Sequence, residues 1–199
     1  MKRSVYTRPD KPIAIPIKRR RETPRPEPVK LAEPVAVDKA TECHVTPEDV
    51  AARMVEYLGP QGDYLTLEPS AGTGALASAL LASGHSPCEL TMIERHHALA
   101  ALCRPLGPTI HRCFLDYAEE ARGKAQFPRV IMNPPFREVR QHVQAALSLM
   151  GQHGHQEPAT MVALVPITFK HPGALLLEQL PRDTFAAAKV HTKIIRIQP

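Results

Sequence analysis

The sequence predicts an α/β fold: a mostly parallel, twisted sheet with helices on both faces. Three observations carry that reading. Short β-branched runs alternate with amphipathic helical runs from residue 46 onward. A glycine-rich turn ending in Gly72-Thr73-Gly74 joins the first strand to a helical run, as in a βα unit. The two motifs that could carry chemistry both follow strands, and open parallel sheets bind ligands at the carboxyl ends of their strands.

The chain has 199 residues, enough for one domain with a real core and a tail. Hydrophobic residues make up 43% and charged residues 23%, so the bulk of the chain is globular rather than unstructured. No run approaches the roughly 18–20 apolar residues of a membrane span. The apolar piece at residues 12–17 is too short and too Pro-broken for a signal peptide. A cytoplasmic protein in a reducing compartment is expected. Cys43, Cys88, Cys103 and Cys113 form no C-x-x-C pair, which argues for free thiols and no metal site.

The net charge of +5 is uneven. Residues 1–30 hold ten basic and three acidic side chains, so the remaining 169 sum to −2. Residues 1–40 also hold seven prolines and no apolar period, and read as a disordered basic tail. Its run Lys18, Arg19, Arg20, Arg21 suits contact with phosphates. A domain over 41–199 follows.

The elements read in order as follows. Thr46 is placed as a helix N-cap, with Pro47 at the first helical position and Glu48 and Asp49 in the first turn. Val50, Met54, Val55 and Leu58 share one face, and Gly59 stops the helix. Strand 64–68 leads through the turn 69–74 into a helix over 75–83. Strand 89–94 precedes a helix over 97–102. A third strand is expected over 109–114, then a short helix around 117–122. Strand 129–132 runs straight into Asn133, Pro134, Pro135 and Phe136. A helix over 139–150 carries Val139, Val143, Ala146, Leu147 and Met150 on one side. Strand 160–165, a helix over 174–180 and a last strand over 189–197 complete the chain.

Two constellations carry chemistry. Glu68, Pro69, Ser70, Ala71, Gly72, Thr73 and Gly74 form a turn whose glycines let backbone approach a ligand, ahead of a helix N-terminus rich in free N–H groups. Gly72-x-Gly74-x-x-Ala77 alone also fits a dinucleotide fingerprint or a plain tight turn. Glu94, twenty residues past Gly74, can accept both hydroxyls of a ribose, a need shared by NAD enzymes and adenosyl-ligand enzymes. Asn133-Pro134-Pro135-Phe136 serves no strand purpose. Proline removes ladder donors and holds the preceding residue extended, so a carboxamide, a carbonyl and an aromatic ring sit in rigid relation.

In that order, these residues resemble the class I S-adenosylmethionine-dependent methyltransferases, and more narrowly the adenine-N6 DNA methyltransferases with an Asn-Pro-Pro-aromatic motif. The resemblance covers about residues 42–198. It implies a single Rossmann-like domain with a late antiparallel strand and S-adenosylmethionine as cofactor. It implies cofactor contacts from Thr46, Pro47, Glu68, Ser70, Ala71, Gly72, Gly74, Glu94, Phe114 and Asn133. Catalysis falls to Asn133, Pro134, Pro135 and Phe136. Phe136 and Phe185 would hold the substrate base, with residues 189–193 as a late hairpin beside it. One position departs from the pattern: Cys113 stands where the family has an Asp that contacts the cofactor adenine. Asp116 is the nearby acid that could substitute.

The resemblance makes DNA the expected partner, favoured by Phe rather than Tyr at 136 and by the basic tail. The chain leaves no residues for a separate target-recognition domain, which suits a solitary enzyme of low specificity. The alternatives are transfer to RNA adenine or to a protein glutamine, a non-catalytic AdoMet- or nucleic-acid-binding module, and an NAD-dependent oxidoreductase. The last leaves the Asn133 motif unexplained.

Overall fold

The computed structural model describes residues 44–185 and 190–199. Seven strands form one sheet: β1 Thr66–Pro69, β2 Leu90–Glu94, β3 Thr109–His111, β4 Arg129–Met132, β5 Thr160–Pro166, β6 Ala174–Gln179 and β7 Thr192–Ile197. Five helices cover it: α1 Glu48–Leu58, α2 Ala75–Ala82, α3 His97–Cys103, α4 Phe114–Ala121 and α5 Val139–Ser148. The strand order is β3-β2-β1-β4-β5-β7-β6. Neighbours from β3 to β5 pair in parallel, and β7 runs against both β5 and β6. The sheet is therefore mostly parallel with a late antiparallel strand.

Both faces are buried along the central strands β1, β4 and β5, as parallel sheets require, while the edge strands β3 and β6 are largely open. The period of two sorts the side chains. Ile131, Val162, Leu164 and Ile194 face one way, against Val50, Met54 and Leu58 of α1 and Leu76 and Leu80 of α2. Val130, Met132, Met161, Ala163 and Val165 face the other, against Phe114 and Ala118 of α4 and Val139, Val143 and Ala146 of α5. Each large side chain so buried contributes about 1.5–3 kcal/mol, before chain entropy is counted.

Several elements differ from the sequence reading, each for a physical reason. Residues 174–179 form strand β6 rather than a helix. Ala-Leu-Leu-Leu-Glu-Gln favours helix locally, but β7 offers an open ladder, and non-local pairing overrides the propensity. A bulge between Leu176 and Glu178 breaks the alternation that would have announced it. Strand β3 ends at His111, and the chain turns at once into α4, so Cys113 sits at the N-cap position and Phe114 opens the helix. Helix α5 stops at Ser148, and Met150 instead bridges Phe127. The last strand starts at Thr192; the expected residue 189 and the tail over 1–40 lie outside the described residues. Thr46 is not the cap of α1. Pro47 holds that position, with no side-chain bond, and the Thr46 hydroxyl is used elsewhere.

After β3 the chain crosses back to place β4 beside β1 on its other side. That reversal opens a crevice at the carboxyl ends of β1 and β4, where such sheets bind ligands. Among the described residues, no helix is long and apolar enough to cross a membrane.

Candidate functional site

The turn after β1 is held by backbone conformations that cost energy. Ser70, Gly72 and Gly74 all have left-handed φ, at 59°, 58° and 77°. Glycine takes that region freely, but Ser70 bears a strain on the order of 1–2 kcal/mol. The turn is tied down by Ala71 N–H to the Ile93 carbonyl at 2.9 Å and by Gly74 N–H to the Ala71 carbonyl at 2.9 Å. A Cβ on Gly74 would lie 2.6 Å from Cδ1 of Leu106, so that glycine also makes room for the end of that side chain.

Glu94, at the end of β2, braces the same turn. Its Oε2 accepts the Gly72 N–H at 2.8 Å, and its Oε1 accepts the His96 N–H at 2.7 Å. The side chain is buried but lines a cleft with Ser70, Ala71, Gly72 and Arg95. Each carboxylate oxygen keeps a second lone pair free of these bonds.

Glu68 is the most deeply buried acid there, at 1% exposure. Its Oε2 has no hydrogen-bond partner among the described residues. Burial pushes its carboxyl up from 4.5 to about 8, the charge of Glu94 adds to the rise, and an N–H bond from Ala77 opposes it. A buried acid of this kind, opening onto a cleft, calls for a cation or a donor to complete it.

At the end of β4 stands Asn133. Its Nδ2 donates to the His44 carbonyl at 2.8 Å and to Thr46 Oγ1 at 3.0 Å. A backbone carbonyl only accepts, so the nitrogen must lie on that side and Oδ1 on the other. The ring of His44 stacks on Phe136, with centroids 5.0 Å apart and planes 22° apart. Phe185, buried, meets both rings at 5.8 and 6.4 Å.

The structure brings ten of the expected residues to one cleft: Thr46, Glu68, Ser70, Ala71, Gly72, Glu94, Cys113, Phe114, Asn133 and Pro135. Pro47 caps α1, Gly74 lies against Leu106, and Pro134 is buried; none of the three lines the cleft. Phe136 and Phe185 stand together beside it. Asp116 is exposed on α4 and does not line it. Sequence reasoning missed His44, Arg95, Arg112, Glu138 and His142, which line the same cleft. No spacing in the sequence marks His44. His142 lies four residues after Glu138, a helical spacing that turns both toward one side.

No protein-family profile matches the chain, and no curated protein sequence matches it. Solved structures do. The 23S rRNA methyltransferase ErmE matches with a TM-score of 0.59 at 19% identity, over 76% of this chain and 68% of that one. A modification subunit of a proposed type I restriction enzyme from Vibrio vulnificus matches with 0.62 at 16% identity, over 80% of this chain. The chain spans less than half of that subunit, 45% of its length. An O-methyltransferase from Bacillus cereus, solved in complex with SAH, matches with 0.58 at 9% identity, over 80% and 85% of the two chains. At such identities the likeness is one of architecture, and together with the strand order it establishes that the chain has the class I methyltransferase fold.

Proposed function

We propose that the chain is an N-methyltransferase that uses S-adenosylmethionine, and that its acceptor is the exocyclic N6 amine of adenine in DNA. The observation that carries this reading is the pinned carboxamide of Asn133. With Nδ2 held by His44 and Thr46, Oδ1 is left as a fixed acceptor at the carboxyl end of β4.

The residues present fit the cofactor. The unpartnered Oε2 of Glu68 suits an α-ammonium group, which supplies both charge and donors. Glu94 retains lone pairs for two ribose hydroxyls after serving Gly72 and His96. When bound, the cofactor supplies an electrophilic sulfonium methyl group.

The chain's own residues answer a difficulty of the acceptor. The lone pair of an aryl amine is spread into its ring, so the amine is a weak nucleophile. Asn133 Oδ1 and the Pro134 carbonyl can accept its two N–H bonds and localise that lone pair on nitrogen. Phe136 offers a stacking face, and Phe185 stands beside it. A base entering on the face of Phe136 that His44 covers displaces the histidine ring. Positioning and fixed dipoles then account for most of the rate. A base within a duplex must first be extruded, at about a few kcal/mol. The basic residues 18–21 are proposed to contact phosphates.

The test is methyl incorporation. Full-length protein is incubated with methyl-labelled S-adenosylmethionine and duplex DNA, single-stranded DNA, total RNA or protein extract, and the products are separated as nucleosides or amino acids. N6-methyladenine in DNA is the expected product. Label in RNA or glutamine would keep the chemistry and change the acceptor. Cofactor binding without label in any substrate would remove the catalytic reading.

A further inference from the structure

Resting on the cofactor reading above, we propose that His142 reads the amine of the cofactor's adenine ring, supplying the acceptor that Cys113 does not. Beside Glu94 the cleft has walls of Ile93, Leu99, Phe114 and Pro135. Flat or apolar walls suit a heterocycle, which then needs polar groups only at its edge. Few groups here can serve. Cys113 offers a thiol, a weak acceptor. Asp116 is exposed and does not line the cleft. Glu138 lines the cleft but is exposed, where water competes for its carboxylate.

His142 differs from all three. It is 4% exposed, on α5, and borders the cleft. Its Nδ1 lies 3.2 Å from the Glu138 carbonyl, an acceptor, so Nδ1 carries the proton. Burial, aided by the charge of Arg95, holds the ring below its ordinary pKa, while Glu138 opposes that, and the imidazole is neutral near pH 7. Nε2 therefore bears a lone pair, and it has no partner among the described residues. The ring stands 5.7 Å from that of Phe114, whose helix starts without a side-chain cap. The first N–H groups of α4 carry no side-chain cap, so they can donate to a ligand at this end of the cleft. One acceptor and one donor complement the edge of adenine, which presents an amine N–H and the ring nitrogen N1. Hypoxanthine presents the reverse, a carbonyl and an N1–H.

The test uses two probes, S-adenosylhomocysteine and its deaminated form S-inosylhomocysteine, titrated calorimetrically into full-length protein. The wild type is expected to prefer the adenine compound by at least about tenfold, the worth of one hydrogen bond near the upper end of its range. His142→Leu should cut the preference by about tenfold, the share of one contact, whereas His142→Gln, which keeps an acceptor, should retain it. Cys113→Asp added to His142→Leu should restore it. Glu138→Leu, which removes that carboxylate and leaves no acceptor, should retain the preference within about threefold. An unchanged preference in a cooperatively melting His142→Leu protein would overturn the proposal, as would its loss in Glu138→Leu alone. A wild type that binds adenine and hypoxanthine compounds equally would overturn it while sparing the cofactor reading. A wild type that binds neither would overturn both.

Discussion

Replacing Glu68 by Gln isolates one buried proton. The Glu68 carboxyl titrates near 8 in the folded chain against 4.5 when exposed to water, because burial disfavours its charge. Between those values the folded state holds the proton and the unfolded state has released it. Stability therefore falls as pH rises from about 4.5 to about 8, and is flat with respect to this group above that. A difference of 3.5 pH units at about 1.4 kcal/mol each sets a ceiling of about 5 kcal/mol. Glutamine keeps the shape and never ionises. Urea denaturation of both proteins at about pH 5 and about pH 8.5 gives the measurement, since every other titrating group is common to the pair. The stability of Glu68→Gln relative to the wild type should rise by several kcal/mol between the two pH values. An equal difference at both would refute the assignment of a raised pKa to Glu68. The same group predicts a binding signature. An ammonium placed against Oε2 favours the carboxylate, so cofactor binding at neutral pH should release a proton from the wild type and not from the variant. Calorimetry in buffers of different ionisation heat reads that release.

The other expectations follow from single contacts. Asn133→Ala should lower the methyl-transfer rate by about 10²–10³-fold, the usual cost of losing one fixed hydrogen-bonding group at the reacting centre, while cofactor affinity measured by calorimetry changes by less than about threefold. Glu94→Ala should raise the cofactor dissociation constant at least about tenfold. It should also cost about 1–3 kcal/mol in urea denaturation, because the N–H groups of Gly72 and His96 lose their acceptor. Gly74→Ala must hold a left-handed φ of 77° and push the end of the Leu106 side chain aside, and should destabilise by about 1–2 kcal/mol on thermal melting.

What could be read beforehand follows from how a residue's identity is dictated. Where backbone conformation dictates it, the sequence speaks plainly. Gly72 and Gly74 take left-handed conformations that few other residues tolerate, and Pro134 and Pro135 end β4 because they cannot continue a ladder. Strands buried on both faces announce themselves as apolar runs, and residues 129–132 were readable for that reason. Where a distant contact dictates identity, the signal vanishes. The edge strand β6 exists because β7 pairs with it, while its own residues favour helix. Asn133 is oriented by His44 and Thr46, 89 and 87 positions away, and neither contact leaves a spacing to detect. Thr46 shows the hazard of the local reading. Its place before Pro47 and two acids makes it a natural helix cap, yet its hydroxyl is drawn to the carboxamide across the cleft. Cys113 shows the converse. A missing acid is visible in one dimension, but the group able to replace it, His142, lies on another helix and becomes a candidate only when α4 and α5 are packed on the same face of the sheet.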